Sequence, residues 1–272
     1  MSLDLQAYNY LKETVGGWTA PPPLAHLNGV LRVLTRWRQL RLVQTYQQRH
    51  GTIIWAGPFK GMDYIGNSAE GALMPRLLGS YESELHPHLR ALADEGLDCV
   101  VDVGCAEGYY AVGLARMLPT ITVHAHDIDA KAQAACRALA AKNGVADRVM
   151  VGGEFKPEDF NAFAGRRALV IVDAEGAEMD ILRPDLGPGL AQLKILVETH
   201  DISRPGALAA MVERFSPTHD IIRVDQQYLP FEPPPWFQGL PHLDRLIALW
   251  EWRVTATPWL VMRPKAGWPA RA

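Results

Sequence analysis

Cys99-Val100-Val101-Asp102-Val103-Gly104-Cys105-Ala106-Glu107-Gly108-Tyr109-Tyr110 is the stretch whose reading decides the fold. Its first five residues form a β-prone run. The run enters a turn bounded by Gly104 and Gly108, and Ala111 to Leu118 continues with helical spacing. Strand, glycine turn and helix make the opening half of a nucleotide-binding βαβ unit. The glycines let backbone N–H groups and a helix N-terminus come close to a ligand. A dinucleotide fingerprint has a further glycine inside the turn, where a pyrophosphate needs the space. Here that space holds Cys105-Ala106-Glu107, and the Glu107 carboxylate would repel pyrophosphate while tolerating a cationic ligand.

On these residues the chain resembles the class I methyltransferases that use S-adenosylmethionine (SAM), whose first motif it matches. SAM has an adenosine, a sulfonium and an amino acid end, and no phosphate. The resemblance implies a Rossmann-like α/β fold with a seven-stranded, mostly parallel sheet, its last strand antiparallel, and helices on both faces.

Downstream, apolar runs alternate with helical patterns. Strands are expected at 121–126, 148–151, 168–172, 193–197, 220–224 and 259–262, with helices at 130–142 and from Pro205 to about Phe215. The runs 168–172 and, apart from Lys194, 193–197 are apolar, as strands buried on both faces should be. Asp127 follows the second strand, 23 residues beyond Gly104. An acid at that distance suits a bidentate acceptor for two ribose hydroxyls. Asp129 reads as the cap of the following helix. Glu154 and Phe155 fall where the adenine would lie, Phe155 either stacking on it or packing in the core. Residues 228–252, with Pro233-Pro234-Pro235 and Trp236, Trp250 and Trp252, read as an insertion packing over the active face.

Upstream, residues 1 to about 22 read as an arm ended by Pro21-Pro22-Pro23, and Leu24 to about Gln48 as a helix. That helix carries Arg32, Arg36, Arg38 and Arg41, with Arg49 and Lys60 following. This is either a solvated face or a basic surface for an acidic substrate, an anionic membrane or a partner. Residues 51–66 read as a hairpin. The expected division is a helical arm and hairpin extension over 1–75 and a methyltransferase domain over 76–272. Tyr81-Glu82 either begins a helix or sits over the amino acid end of the cofactor.

The chain has 272 residues, 48% of them hydrophobic and 21% charged, and a net charge of −3, so no general affinity for nucleic acid is expected. No secretory signal or membrane span is read, and Cys99, Cys105 and Cys136 show no metal spacing. A cytoplasmic protein is expected.

The polar clusters fall at the C-terminal ends of the strands, where open α/β sheets bind ligands. Asp173-Ala174-Glu175-Gly176-Ala177-Glu178, then Val197-Glu198-Thr199-His200, together with Gly57 to Met62 and Tyr81-Glu82, resemble the FkbM family of methyltransferases. The resemblance covers roughly residues 57–263. It implies methylation of a hydroxyl on a sugar or natural product, a small-molecule acceptor. Within that reading Glu82, Asp102, Gly104, Cys105, Ala106, Gly108, Tyr109, Asp127, Ile128, Glu154, Phe155 and Asp173 are expected around SAM. His200 is the first candidate for general base, oriented by Glu198 or Asp201, or else is a structural histidine. Asp173 could meet donor or acceptor, and Glu175 either receives a substrate hydroxyl or turns inward. Asp173, Glu175, Glu198 and His200 could also hold Mg²⁺ or Mn²⁺, though the expectation is that none is needed. The alternatives are an N-methyltransferase or nucleic-acid enzyme on the same fold, or a non-catalytic module that binds SAM or a partner. A homo-oligomer, or an acidic partner on the basic helix, is left open.

Overall fold

The apolar runs become the sheet. The computed structural model describes residues 2–66 and 72–267. Helices α1 (Leu3–Gly16), α2 (Leu24–His50), α3 (Leu73–Leu78) and α4 (His86–Glu95) precede β1 (Cys99–Val103). Then follow α5 (Tyr109–Met117), β2 (Thr122–His126), α6 (Ala130–Lys142), β3 (Val149–Gly152) and β4 (Ala168–Val172). The chain continues through α7 (Glu178–Ile181), β5 (Lys194–Glu198), α8 (Ala207–Phe215), β6 (His219–Val224), α9 (Pro235–Gln238), α10 (His242–Leu249) and β7 (Trp259–Pro264).

These strands form one seven-stranded sheet in the order β3-β2-β1-β4-β5-β7-β6. The first five are parallel, and β7 inserts antiparallel between β5 and β6. This is the mixed, mostly parallel sheet with helices on both faces that the resemblance implies. β1, β4 and β5 are buried at every position, as strands covered on both faces are, with Asp102, Lys194 and Glu198 buried among their apolar residues. Alternate residues feed two separate cores. Val100, Leu169, Ile171 and Leu196 pack with α2 to α6, while Val101, Val103, Val170 and Val172 pack with Phe160, Met211 and Phe215 on the other face.

Several expectations change. The expected arm contains α1, which buries no residue. The expected hairpin is present but short: an antiparallel bridge between Ile53 and Asp63, with the Ile54, Gly61 and Tyr64 amides donating to the Met62, Ile54 and Thr52 carbonyls. Its outer edge is held by a neighbour as well: Asn143 bonds both the Asp63 amide and its carbonyl. The basic face of α2 is largely partnered within the chain. Arg38 makes a two-pronged bond to Asp244 at 2.7 and 2.5 Å, Arg36 lies over the Trp252 ring, and Arg41 faces Asp4. The insertion packs mainly against this helix rather than over the active face. Gln39 caps the end of α10 through the carbonyls of Ile247 and Trp250, and Trp236 bonds His50. Its last two residues, Glu251 and Trp252, reach the candidate site together with the segment that follows, up to Thr257. Among the described residues no helix is long and apolar enough to cross a membrane.

Candidate active site

Register brings the polar residues together. Val103 pairs with His126 on one side and with Val172 on the other, and Val172 pairs with Val197. The next residues, Gly104, Asp127, Asp173 and Glu198, therefore lie along one rim of the sheet. The Asp173 amide donates to the Val103 carbonyl at 3.1 Å, and the Gly104 amide to the His126 carbonyl at 2.9 Å. Gly104 has φ +82°, and a Cβ there would stand 1.8 Å from the Asp173 carbonyl oxygen. Only glycine lets the β1 turn lie this close to the β4 tip.

A cavity of about 420 Å³ opens beside this rim, lined by Gly104, Asp127, Ile128, Glu154, Phe155 and Asp173 among others. The Asp127 carboxylate is fixed by two backbone amides, Ala106 to Oδ2 at 2.9 Å and Asp129 to Oδ1 at 2.8 Å. A carboxylate offers about four acceptor positions, so two remain for a vicinal diol. Ile128 is 85% exposed, an apolar surface beside the cavity. Phe155 is packed edge-on against His126 and Phe160, so it belongs to the core while bordering the cavity. Asp129 caps α6 through the Lys131 amide.

A second cavity of about 280 Å³ is lined by Arg76, Tyr81, Asp173, Glu175, Glu198, His200 and the 251–257 segment. Asp173 and Glu175 border both cavities. His200 is fixed from behind: its Nδ1 lies 2.5 Å from Glu178 Oε1, and the Glu178 side chain is fully buried. Its Nε2 faces three carboxylates, Glu198 and Glu175 at 3.5 Å and Asp173 at 3.7 Å. Burial favours neutral His200, but the Glu178 hydrogen bond and the charges of Glu198, Glu178 and Glu175 outweigh it and raise the imidazole above its ordinary value. Asp173 is pushed well above the carboxylate range by burial and by the charges of Glu198 and Glu82. Arg253 binds this acidic group together, bonding Glu82 Oε1 at 2.7 Å, Glu251 Oε2 at 3.1 Å, and Glu198. Among the described residues the non-glycine positions with positive φ are Glu82, Ala106, Glu175 and Trp252. All four lie in the loops around these cavities, where functional geometry is commonly held at a cost in backbone strain.

Other expected residues turn away. Glu107 does not face a ligand: it is 1% exposed and bonds Arg76 at 2.7 Å and the Tyr64 hydroxyl at 2.5 Å. Its carboxylate therefore says nothing about the charge of a bound ligand. Glu82 is buried, taken by Arg253 and the Tyr110 hydroxyl, and is pushed up to about 8 by burial and by the charge of Glu198. It is not placed over either cavity. Asp102, Cys105, Gly108 and Tyr109 are buried and line neither cavity. Tyr109 sits in a ring cluster with Phe59, Tyr64, Tyr81 and Tyr110. Ala106 lines neither cavity but anchors Asp127. Asp201 does not orient His200; it accepts from the Gly206 and Leu208 amides at the start of α8. Glu178, the residue that does, stands in the quoted acidic motif. No role was assigned to it, because only the turn at Gly176 aims it back at β5.

Neither protein-family models nor curated protein sequences match the chain. Solved structures resemble it. An O-methyltransferase from Bacillus cereus in complex with SAH is 10% identical, with 96% of this chain and 99% of that one covered and a TM-score of 0.45. A SAM-dependent O-methyltransferase from Thermotoga maritima is 14% identical over 68% of this chain and 65% of that one, TM-score 0.46. The O-methyltransferase TomG of Streptomyces achromogenes, in complex with SAM, is 14% identical over 65% and 79%, TM-score 0.43.

Proposed function

We propose that the chain is a SAM-dependent O-methyltransferase of FkbM type, acting on a hydroxyl of a sugar or natural-product small molecule. Residues 76–272 form its methyltransferase domain and residues 1–75 an extension. The observation that carries this reading is that two cavities meet at Asp173 and Glu175, on the rim where Gly104 and Asp127 also stand. One holds the features an adenosine needs: a fixed carboxylate with free acceptor positions and the apolar surfaces of Ile128 and Phe155. The other holds a cluster of acids around an imidazole.

SAM supplies an electrophilic methyl group when bound. Asp127 would receive the ribose hydroxyls, with Glu154 near the base. The carboxylates at the junction suit the positive charge of the donor. They also surround the place where an acceptor hydroxyl must lose its proton, and Asp173, Glu198 and His200 are the groups placed to receive it. Because the displacement is in-line, holding both reactants at this junction supplies much of the acceleration. The acidic rim opposes a polyanionic acceptor. Three buried, unpaired cysteines accord with a reducing compartment.

The test is transfer of labelled methyl from SAM to a panel of hydroxylated small molecules, amines and RNA. Label on a hydroxyl is the expected result. Label on an amine or on RNA alone would overturn the O-methyl reading, and donor binding with no transfer to any acceptor would favour a binding module.

A further inference from the structure

Three ligand atoms from two loops, those after β4 and after β5, converge at the junction of the cavities. One atom each from Asp173, Glu175 and His200 lie within 4.8 Å of one another. Acids gathered at a rim would not by themselves define a site, but His200 adds an independent observation. Its side chain is 6% exposed, and Nε2 makes no hydrogen bond to a described residue, although it points into three carboxylates. The ring nitrogen of this buried side chain stands 3.5–3.7 Å from each acceptor, too far for a good hydrogen bond. Asp173 Oδ1 is likewise buried with no hydrogen-bond partner among the described residues. Two ligands about 2.1 Å from a common centre stand about 3–3.6 Å apart at octahedral to wider angles, close to the separations of His200 Nε2 from Glu175 and Asp173. The other ring nitrogen is already held by Glu178, the arrangement by which a carboxylate fixes a histidine so that its free nitrogen can meet a metal.

We propose that Asp173, Glu175 and His200 Nε2 bind one divalent first-row cation, with Glu198 Oε2 beside it. One imidazole among carboxylates suits Mn²⁺ or Zn²⁺ better than the all-oxygen shells of Ca²⁺ or Mg²⁺. The cation also supplies positive charge beside Asp173 and Glu175, while Arg253 pairs with Glu82, Glu198 and Glu251. This inference rests on the proposed methyl transfer for its role. There the cation binds the acceptor oxygen and acidifies its hydroxyl. The oxygen then forms its bond to the methyl carbon, the carbon–sulfur bond breaks with its electron pair going to sulfur, and the proton leaves to Glu198 or solvent. His200 then acts as a ligand and not as the base.

Mn²⁺ titration of chelator-treated protein, read by loss of the free-ion EPR signal, tests the site without using activity. One Mn²⁺ per chain is expected, with affinity reduced about tenfold or more in Asp173→Asn, His200→Ala and Glu175→Gln. Glu175 has a side chain 71% exposed, so its variant keeps the test valid if the buried ones fold poorly. Asp127→Ala should leave Mn²⁺ affinity unchanged. Absence of saturable binding, or binding indifferent to all three substitutions, overturns the site. The two readings fail separately. SAH binding and full methyl transfer by the chelated enzyme would remove the cation alone. Mn²⁺ binding in a protein that never binds SAH would remove methyl transfer alone.

Discussion

Glu178 Oε1 stands 2.5 Å from Nδ1 of His200, and this contact decides which nitrogen the site can use. With Nδ1 engaged behind, Nε2 must face the junction of the two cavities. The contact joins the loop after β4 to the loop after β5. Glu178 also accepts from the Gly176 amide at 3.0 Å, so it braces the turn that carries Glu175.

Substitution of either partner should therefore act on turnover. His200→Ala is expected to lower the rate by about 10²-fold or more. Glu178→Gln, which preserves shape but loses the charge, should lower it to a lesser degree. Donor affinity, measured by calorimetry, should stay nearly unchanged in both. A full rate in His200→Ala would show that neither proton uptake nor ligation passes through this ring.

Glu107 illustrates a carboxylate with a different task. It pairs with Arg76 in the interior, side chains 1% and 8% exposed. Glu107→Leu leaves the buried guanidinium without its carboxylate and should destabilise the fold by roughly 3–5 kcal/mol. Chemical denaturation gives the value. A loss below about 1 kcal/mol would mean the pair contributes little.

Asp102 should make stability depend on pH. Burial pushes its carboxyl up to about 7 from 3.8, against the backbone hydrogen bond from Ala111, and the charge of Asp127 adds to the rise. Between those values the folded chain holds a proton that the unfolded chain has released. Stability from this group is thus complete below about pH 3.8, falls as pH rises, and levels off above pH 7. The loss is at most roughly 4 kcal/mol, since each pKa unit corresponds to about 1.4 kcal/mol. Asp102→Asn should lack this slope and be more stable than the parent at pH 8. Parallel stability curves for the two proteins across pH 4–8 would contradict it.

Gly104→Ala should disrupt both fold and donor binding. The added methyl meets a carbonyl oxygen at 1.8 Å in a backbone with φ +82°, so β1 and β4 tips must separate. A loss of roughly 2 kcal/mol or more is expected in thermal or chemical melts.

Much of this architecture is legible in the residues themselves. The runs 99–103 and 168–172 emerge as strands with those bounds, and the others begin and end within a residue or two of expectation. Register then follows from the parallel pairing, which puts Asp127 and Asp173 on one rim. Side-chain direction is what sequence leaves open. Glu107 looks like a ligand-facing acid until α3, 31 residues away, supplies Arg76. Glu82 depends on Arg253, 171 residues distant, for its orientation. The residues 51–66 have the glycines and β-prone pairs of a hairpin and make its cross-strand bonds from 52 to 64 and from 54 to 61 and 62. But Lys142 and Asn143 at the α6 end take the outward Tyr64 carbonyl and the Asp63 amide and carbonyl, so the pairing stays short. These outcomes depend on which element packs alongside, and local spacing carries no record of that.

The most direct measurement is calorimetric titration of SAH into the parent protein and into Asp127→Ala. The expected result is saturable binding at one site per chain, weakened by roughly 1–3 kcal/mol when the two carboxylate hydrogen bonds to ribose are lost. No binding by the parent, or equal affinity in the two proteins, would contradict the placing of a methyl donor beside Asp127.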